Sequence, residues 1–204
     1  VGAALTQTTT PTAGVDIVFA DGAGSETADV ARDASYSARD AFRVETAELQ
    51  VTKTVATLCD PLNGTTNPKN IPGAFVQYTI TILNKPTGLA PATLAVLTDN
   101  LVASLAFDPD LIAGASAAAC VTGGTATSAA GAGFELSKGG ATNGRASLTA
   151  VSYKTSAADT DGAAAAGQAV TLDFGTLLPA EGTYTAGQLK AGETVQVKFN
   201  TKIN

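Results

Sequence analysis

A two-residue alternation of apolar and polar side chains, repeated in short segments, constrains the fold of this chain more than any other feature. Within Phe75–Leu83 and again within Thr194–Ile203, every second residue except Thr201 is apolar, and the residues between are mostly polar. This is the period of a β-strand with one buried face. Turn-forming residues separate these runs and no long helical period interrupts them, so the pattern predicts an all-β sandwich. Further strands are predicted at Leu49–Val55, Leu94–Thr98, Val102–Phe107, Ala146–Lys154 and Ala169–Phe174.

Composition supports strands and argues against most chemistry. The 204 residues include 30 Thr and 21 Gly but no Trp, Met or His, so the core must be built mainly from Val, Leu, Ile and Ala. The absence of His excludes His-based catalytic triads and His metal sites. A net charge of −6 without a basic cluster disfavours nucleic acid as a partner. We therefore expect no enzymatic activity, no cofactor and no small-molecule substrate.

Three pairs of acidic residues are the remaining candidates for a metal or catalytic site. None has the spacing of a known calcium loop, and few aromatic residues are present to stack a sugar beside a carboxylate pair. Acidic residues are common in turns, so we assign no metal-binding and no catalytic residue. The pairs are Asp16 with Asp21, Asp108 with Asp110, and Asp159 with Asp161.

The two cysteines, Cys59 and Cys120, lie in loop-like surroundings without a second ligand at zinc-binding spacing. A disulfide and two buried thiols are both open, and we favour the disulfide. It would restrict the unfolded chain by on the order of 4 kcal/mol and would imply an oxidising, extracellular location. Asn63 begins a glycosylation sequon, Asn-Gly-Thr, but Asn-Gly is also an ordinary turn dipeptide.

The N-terminal segment differs from the rest of the chain. Residues 1–14 form a Thr-rich leader with apolar Val1, Ala3 and Leu5, and a strand is predicted at Val15–Phe19. The chain begins without Met, which removal of a signal segment or trimming would explain. No apolar stretch is long enough to span a membrane. Residues 113–145 are mostly small and predict an inserted loop or small hairpin.

From Leu49 onward, several motifs resemble the "conserved repeat" family of bacterial and archaeal surface domains, whose function is unknown. The resemblance covers residues 49–204, apart from the insertion. It implies an Ig-like β-sandwich, here extending over residues 15–204 as one domain with an N-terminal extension strand. Members of the family usually occur as several copies, whereas this chain carries one. The motifs are Leu49–Val55, Pro72-Gly73, Val76–Asn84, Phe174–Leu177 and Gly192–Phe199.

A single domain preceded by an apolar leader is similar in architecture to pilus and biofilm-fibre subunits that donate an N-terminal strand. We therefore expect a structural subunit of an extracellular filament, a homopolymer in which Val1, Ala3 and Leu5 enter the sheet of a neighbouring copy. A frayed N-terminus is the simpler interpretation of the leader. The alternative function is a non-polymerising Ig-like spacer or adhesion module of a cell-surface or surface-layer protein.

Lys53 allows one further interpretation. Some surface sandwiches join a Lys of the first strand covalently to an Asn of the last strand beside a buried acid. Here the candidates are Lys53, Asn200 or Asn204, and Asp99. A solvated lysine on the polar face of its strand is the interpretation that we favour.

Overall fold

The computed structural model of the chain describes residues 22–29, 36–109, 132–139, 144–148 and 150–204. The chain divides into two compact units, Val1–Val44 and Glu45–Asn204. All the described strands lie in the second unit, and the single domain over residues 15–204 stays a prediction. The leader, the strand predicted at residues 15–19 and the predicted boundary after residue 14 lie outside the described residues. No helix in the described part of the chain is long and apolar enough to cross a membrane.

The described part of the first unit is held together around Asp29 and Ser37. The Asp29 carboxylate accepts hydrogen bonds from the backbone N–H groups of Gly24 and Ser37, and Ser25 donates to the Ser37 carbonyl over 2.9 Å. Hydrogen bonds from Ser37 lower the pKa of Asp29, because they stabilise the ionised carboxylate. Residues 36–44 have no regular secondary structure, and Phe42 and Val44 on this segment are 92% and 86% exposed.

The described residues of the second unit form antiparallel strands, one short α-helix, α1 (Phe174–Leu177), and one 3₁₀ turn (Ala146–Leu148). All sheet pairings are antiparallel, so the prediction of an all-β sandwich is confirmed. The strands are β1 (Leu49–Cys59), β2 (Phe75–Asn84), β3 (Ala92–Thr93), β4 (Val96–Asn100), β5 (Leu105–Asp108), β6 (Phe134–Ser137), β7 (Ser152–Lys154), β8 (Ala163–Ala166), β9 (Ala169–Asp173), β10 (Gln188–Leu189) and β11 (Thr194–Ile203).

The larger sheet has the order β1-β2-β11-β6-β7. Strand β11 is ten residues long, and two short strands share its second edge. Residues 196–199 pair with β6, and residues 200–203 pair with β5. The smaller sheet has the order β4-β9-β8, and β3 pairs with β10.

The core between the sheets is apolar and contains one aromatic cluster. Tyr78, Phe107, Phe134 and Phe199 pack with ring centroids 5.1–5.9 Å apart. Aliphatic side chains from both sheets surround this cluster, which agrees with a core built mainly from Val, Leu and Ile. Its buried members include Val76, Ile80, Ile82, Leu136, Val170, Leu172, Leu189, Val195 and Val197.

Four strands, β3, β6, β8 and β10, lie where the sequence predicted none, and two of them, β6 and β8, are four residues long. Phe134–Ser137 falls within the stretch predicted to be an inserted loop or hairpin, yet β6 pairs directly with β11 and Phe134 is fully buried. The tract Ala163–Ala166 forms β8 at the edge of the smaller sheet. In both cases small neighbouring residues conceal the alternation, because Ala and Gly do not distinguish a buried face from an exposed one.

Arg145 is a fully buried cation that holds the loop before β10 in place. Its guanidinium donates to the carbonyl oxygens of Pro179, Thr185 and Gln188 over 2.6–2.9 Å. It also lies 3.3 Å from a Glu181 carboxylate oxygen. A planar fork of five donors matches these acceptors, which a lysine ammonium cannot reach together.

We expect Arg145→Lys to lower the free energy of unfolding by about 3 kcal/mol, because buried carbonyl groups lose charged hydrogen-bond donors. Urea denaturation followed by circular dichroism measures this loss. Arg39→Lys is the matched control, since Arg39 is exposed and its ion pair with Glu26 lies at the surface. Equal stability of the two variants would contradict the bracing role of Arg145.

Candidate functional site: an open edge of the sandwich

Among the described strands, β1 forms one edge of the larger sheet, and its core-facing side is only partly covered. The register pairs Val51 with Ile82 and Val55 with Tyr78. Because opposed residues of antiparallel strands share a face, Val51 and Val55 point to the side on which Ile82 is buried. Nevertheless Leu49, Val51 and Val55 are 46%, 54% and 57% exposed. The apolar row predicted for this strand is therefore present but incompletely buried.

The exposure arises because the smaller sheet ends at β4. Among the described strands, β4 pairs only with β9, and no backbone hydrogen bond joins its other side to a described residue. A groove of about 190 Å³ remains beside this free edge. Leu49 and Val51 line one wall, residues 93–97 line the other, and Ile82 and Phe174 also border it. The sandwich is thus open between the two edge strands.

Lys53 bridges the open side at its middle. The Lys53 ammonium lies 2.5 Å from an Asp99 carboxylate oxygen and 4.4 Å from the centroid of the Tyr78 ring. Its register partner is Ile80, so Lys53 lies on the core-facing side, beside Val51. The expectation of a solvated lysine on the polar face is therefore wrong.

The same register argues against the covalent crosslink between Lys53 and Asn200. Asn200 pairs with Gln77, which is on the outer face, and its side-chain oxygen accepts a hydrogen bond from the Gln77 amide over 3.1 Å. Lys53 and Asn200 therefore lie on opposite faces of the larger sheet. Asn204 donates to the Ala103 carbonyl at the end of β11.

Cys59 lies at the end of β1, where a β-bulge changes the direction of its side chain. Thr57 pairs with Val76 on the core-facing side, but Cys59 pairs with Phe75 on the outer face. Cys59 is fully buried and is not a free thiol. Cys120 lies outside the described residues, so the pair between them stays a prediction.

Thiol labelling tests this disulfide. We expect no reaction of the denatured protein with a maleimide until a reductant is added, after which two labels attach, one to Cys59 and one to Cys120. Intact mass measures the number of labels. Two labels on the denatured but unreduced protein would show free thiols and overturn the pairing.

Asp60 organises the turn that contains the glycosylation sequon. Its carboxylate accepts hydrogen bonds from the backbone N–H groups of Leu62, Asn63 and Lys69 over 2.6–2.7 Å, and from the Asn63 side chain over 3.0 Å. Burial raises the pKa of Asp60, but these hydrogen bonds outweigh it and lower the pKa to about 2. Asn63 itself is exposed. Its glycosylation stays a prediction.

We expect Asp60→Asn to destabilise the protein at pH 7, because an amide cannot accept the same set of hydrogen bonds as a carboxylate. A carboxylate with a lowered pKa stabilises the fold above the pKa of the unfolded chain, and this contribution is lost as the pH falls from about 4 towards 2. The stability gap between wild type and variant should therefore narrow over that interval. Urea denaturation at pH 7, 4 and 2.5 measures the gap, and a constant gap would contradict this role of the carboxylate.

The other candidate residues are not brought together. Val1, Ala3, Leu5, Asp16, Asp21 and Asp110 lie outside the described residues. Asp159 and Asp161 accept hydrogen bonds within a turn, including one of 2.6 Å from the Thr155 backbone to Asp161. Within the described ranges, no group of three or more acidic or Cys side chains is placed to hold a metal ion.

No protein-family model, curated protein or solved structure matches this chain. The resemblance to the conserved-repeat family stays a prediction. A sheet that accepts a strand from a neighbouring copy was expected from the sequence, but the sequence did not indicate that β1 and β4 would form its open side. The alternation near residues 94–98 predicted a strand, but nothing in it indicated that the strand would end a sheet.

Proposed function

We propose that this protein is a structural subunit of an extracellular filament, in which each copy fills the open side of the next with a strand from its N-terminal region. The observation that supports the proposal is the open edge, where the uncovered apolar row of β1 lies beside the free side of β4. A strand added to β4 would gain main-chain hydrogen bonds and would cover that row.

The energetics favour such an addition. Full burial of an aliphatic side chain contributes about 1.5–3 kcal/mol, and Leu49, Val51 and Val55 are each about half exposed. Covering them would stabilise the complex by roughly 2–4 kcal/mol before any main-chain hydrogen bond is counted. A long edge strand with exposed apolar residues is a liability for a protein that remains monomeric. Occupation by a neighbouring copy removes this liability.

The symmetry of the contact favours a fibre. A strand that leaves one copy and enters a groove on the next is a head-to-tail contact, and such contacts propagate unless they close into a ring. Burial of Cys59 without a free thiol supports an oxidising environment, and thus the extracellular location.

The alternative, a non-polymerising spacer or adhesion module, predicts a different state of the purified protein. A spacer would place its open edge against a neighbouring domain of another kind. The purified chain would then remain monomeric in solution at all concentrations.

Electron microscopy of the purified full chain, together with one pair of variants, tests the proposal. We expect wild type to form uniform filaments without a partner. Val51→Asp should abolish them while leaving the fold intact, because it places a charge in the apolar groove. Thr54→Asp is the matched control, since it adds the same charge to the outer face of the same strand.

Circular dichroism establishes that both variants are folded. Monomeric wild-type protein under all conditions would favour the spacer. Filaments of unchanged form in Val51→Asp would show that the groove is not the site of assembly.

A further inference from the structure

We propose that the segment Ala38–Val44 of a neighbouring copy is the strand that fills the groove between β1 and β4. This inference rests on the proposed function and names the occupant of the groove. It assigns the role to a segment different from the leader, whose Val1, Ala3 and Leu5 are the residues predicted from the sequence.

The pattern of this segment suits a strand with one buried face. Ala38, Phe42 and Val44 fall on one side of an extended chain, with Asp40 between them. The other side carries Arg39, Ala41 and Arg43. Phe42 and Val44 are almost fully exposed in the structure, so their apolar surface is open to a partner.

The dimensions of the segment also suit the groove. It has seven residues, as does the stretch of β1 from Leu49 to Val55, and β4 has five. Leu49 and Val51 border the groove together with residues 93–97, whereas Lys53 reaches Asp99, so β1 and β4 run in the same direction. A strand antiparallel to β4, like every other pairing in the fold, would therefore run antiparallel to β1.

In that orientation, one register places the negative charge of the donated segment opposite the positive charge on β1. Placing Asp40 level with Lys53 brings Phe42 to Val51 and Val44 to Leu49. The Lys53 ammonium has three N–H donors, and one of them donates a hydrogen bond to Asp99. It can donate to Asp40 as well, and its position between the two carboxylates offsets their repulsion.

We assign the donated segment to a second copy. Phe42 and Val44 are 92% and 86% exposed, so their apolar surface is not buried within the copy that carries them. A head-to-tail contact with the next copy would bury this surface.

Crosslinking within filaments of the full chain tests this assignment. Copies carrying Phe42→Cys are mixed with copies carrying Val51→Cys, allowed to assemble, and treated with a short bismaleimide crosslinker that spans about 10 Å, the distance between stacked sheets. Electrophoresis and peptide mass spectrometry then measure the crosslink between positions 42 and 51. Each control mixture replaces one of the two variants. In the first, Ala41→Cys, on the opposite side of the donated segment, replaces Phe42→Cys. In the second, Leu62→Cys, on the exposed turn after β1, replaces Val51→Cys.

We expect crosslinked dimer from the first mixture on the order of tenfold above either control, because only this pair of thiols faces each other across the roughly 10 Å between the sheets. Equal yields from all three mixtures would overturn the assignment. A crosslink from Val51→Cys to Ala3→Cys, but not to Phe42→Cys, would overturn it while leaving the filament proposal intact. Failure of wild type to form filaments would overturn both.

Discussion

The pairing of β2 with β11 is the interaction on which the rest of the structure depends. Nine residues of β11 are in register with β2, and these two strands carry Val76, Ile80, Ile82, Val195, Val197 and Phe199 into the core. The other described strands of the larger sheet build outward from this pair: β1 pairs with the far side of β2, β5 and β6 pair with the far side of β11, and β7 pairs with β6. Because the side-chain period is two, a slip of one residue would expose the whole row, so the apolar pattern fixes the register.

That dependence explains which parts of the fold could be predicted from the sequence. Strands β2 and β11 bury one face and expose the other, so their alternation is strong and their bounds were predicted to within one residue. Strand β6 was not predicted, because it is only four residues long and lies in a stretch rich in Gly and Ala. Phe134 was the available signal for this strand. It is one of only seven Phe in the chain, and a large aromatic side chain is expected in the core and not in a loop.

The position of the open edge could not be predicted from the sequence for a different reason. Alternation shows that one face of a strand is apolar, but the order of strands within a sheet depends on contacts between distant segments. Leu49, Val51 and Val55 have the pattern of core residues, and only the end of the smaller sheet at β4 leaves them half exposed. The sequence suggested Asp99 only as the acid beside a Lys53 crosslink, whereas the fold pairs the two side chains as an ion pair.

The Lys53–Asp99 pair gives the open edge its selectivity. Natural sheets protect their edges with inward-pointing charges, because a charge in the groove raises the cost of pairing with an arbitrary apolar strand. Lys53 and Asp99 both point into the open side, so a fully apolar segment laid over them would desolvate the pair without adding a partner. A segment with a carboxylate at the matching position would instead add a hydrogen bond to Lys53 while its apolar residues cover Leu49 and Val51. The same pair can therefore discourage unspecific aggregation and admit one charged strand, since specificity is the difference between the two affinities.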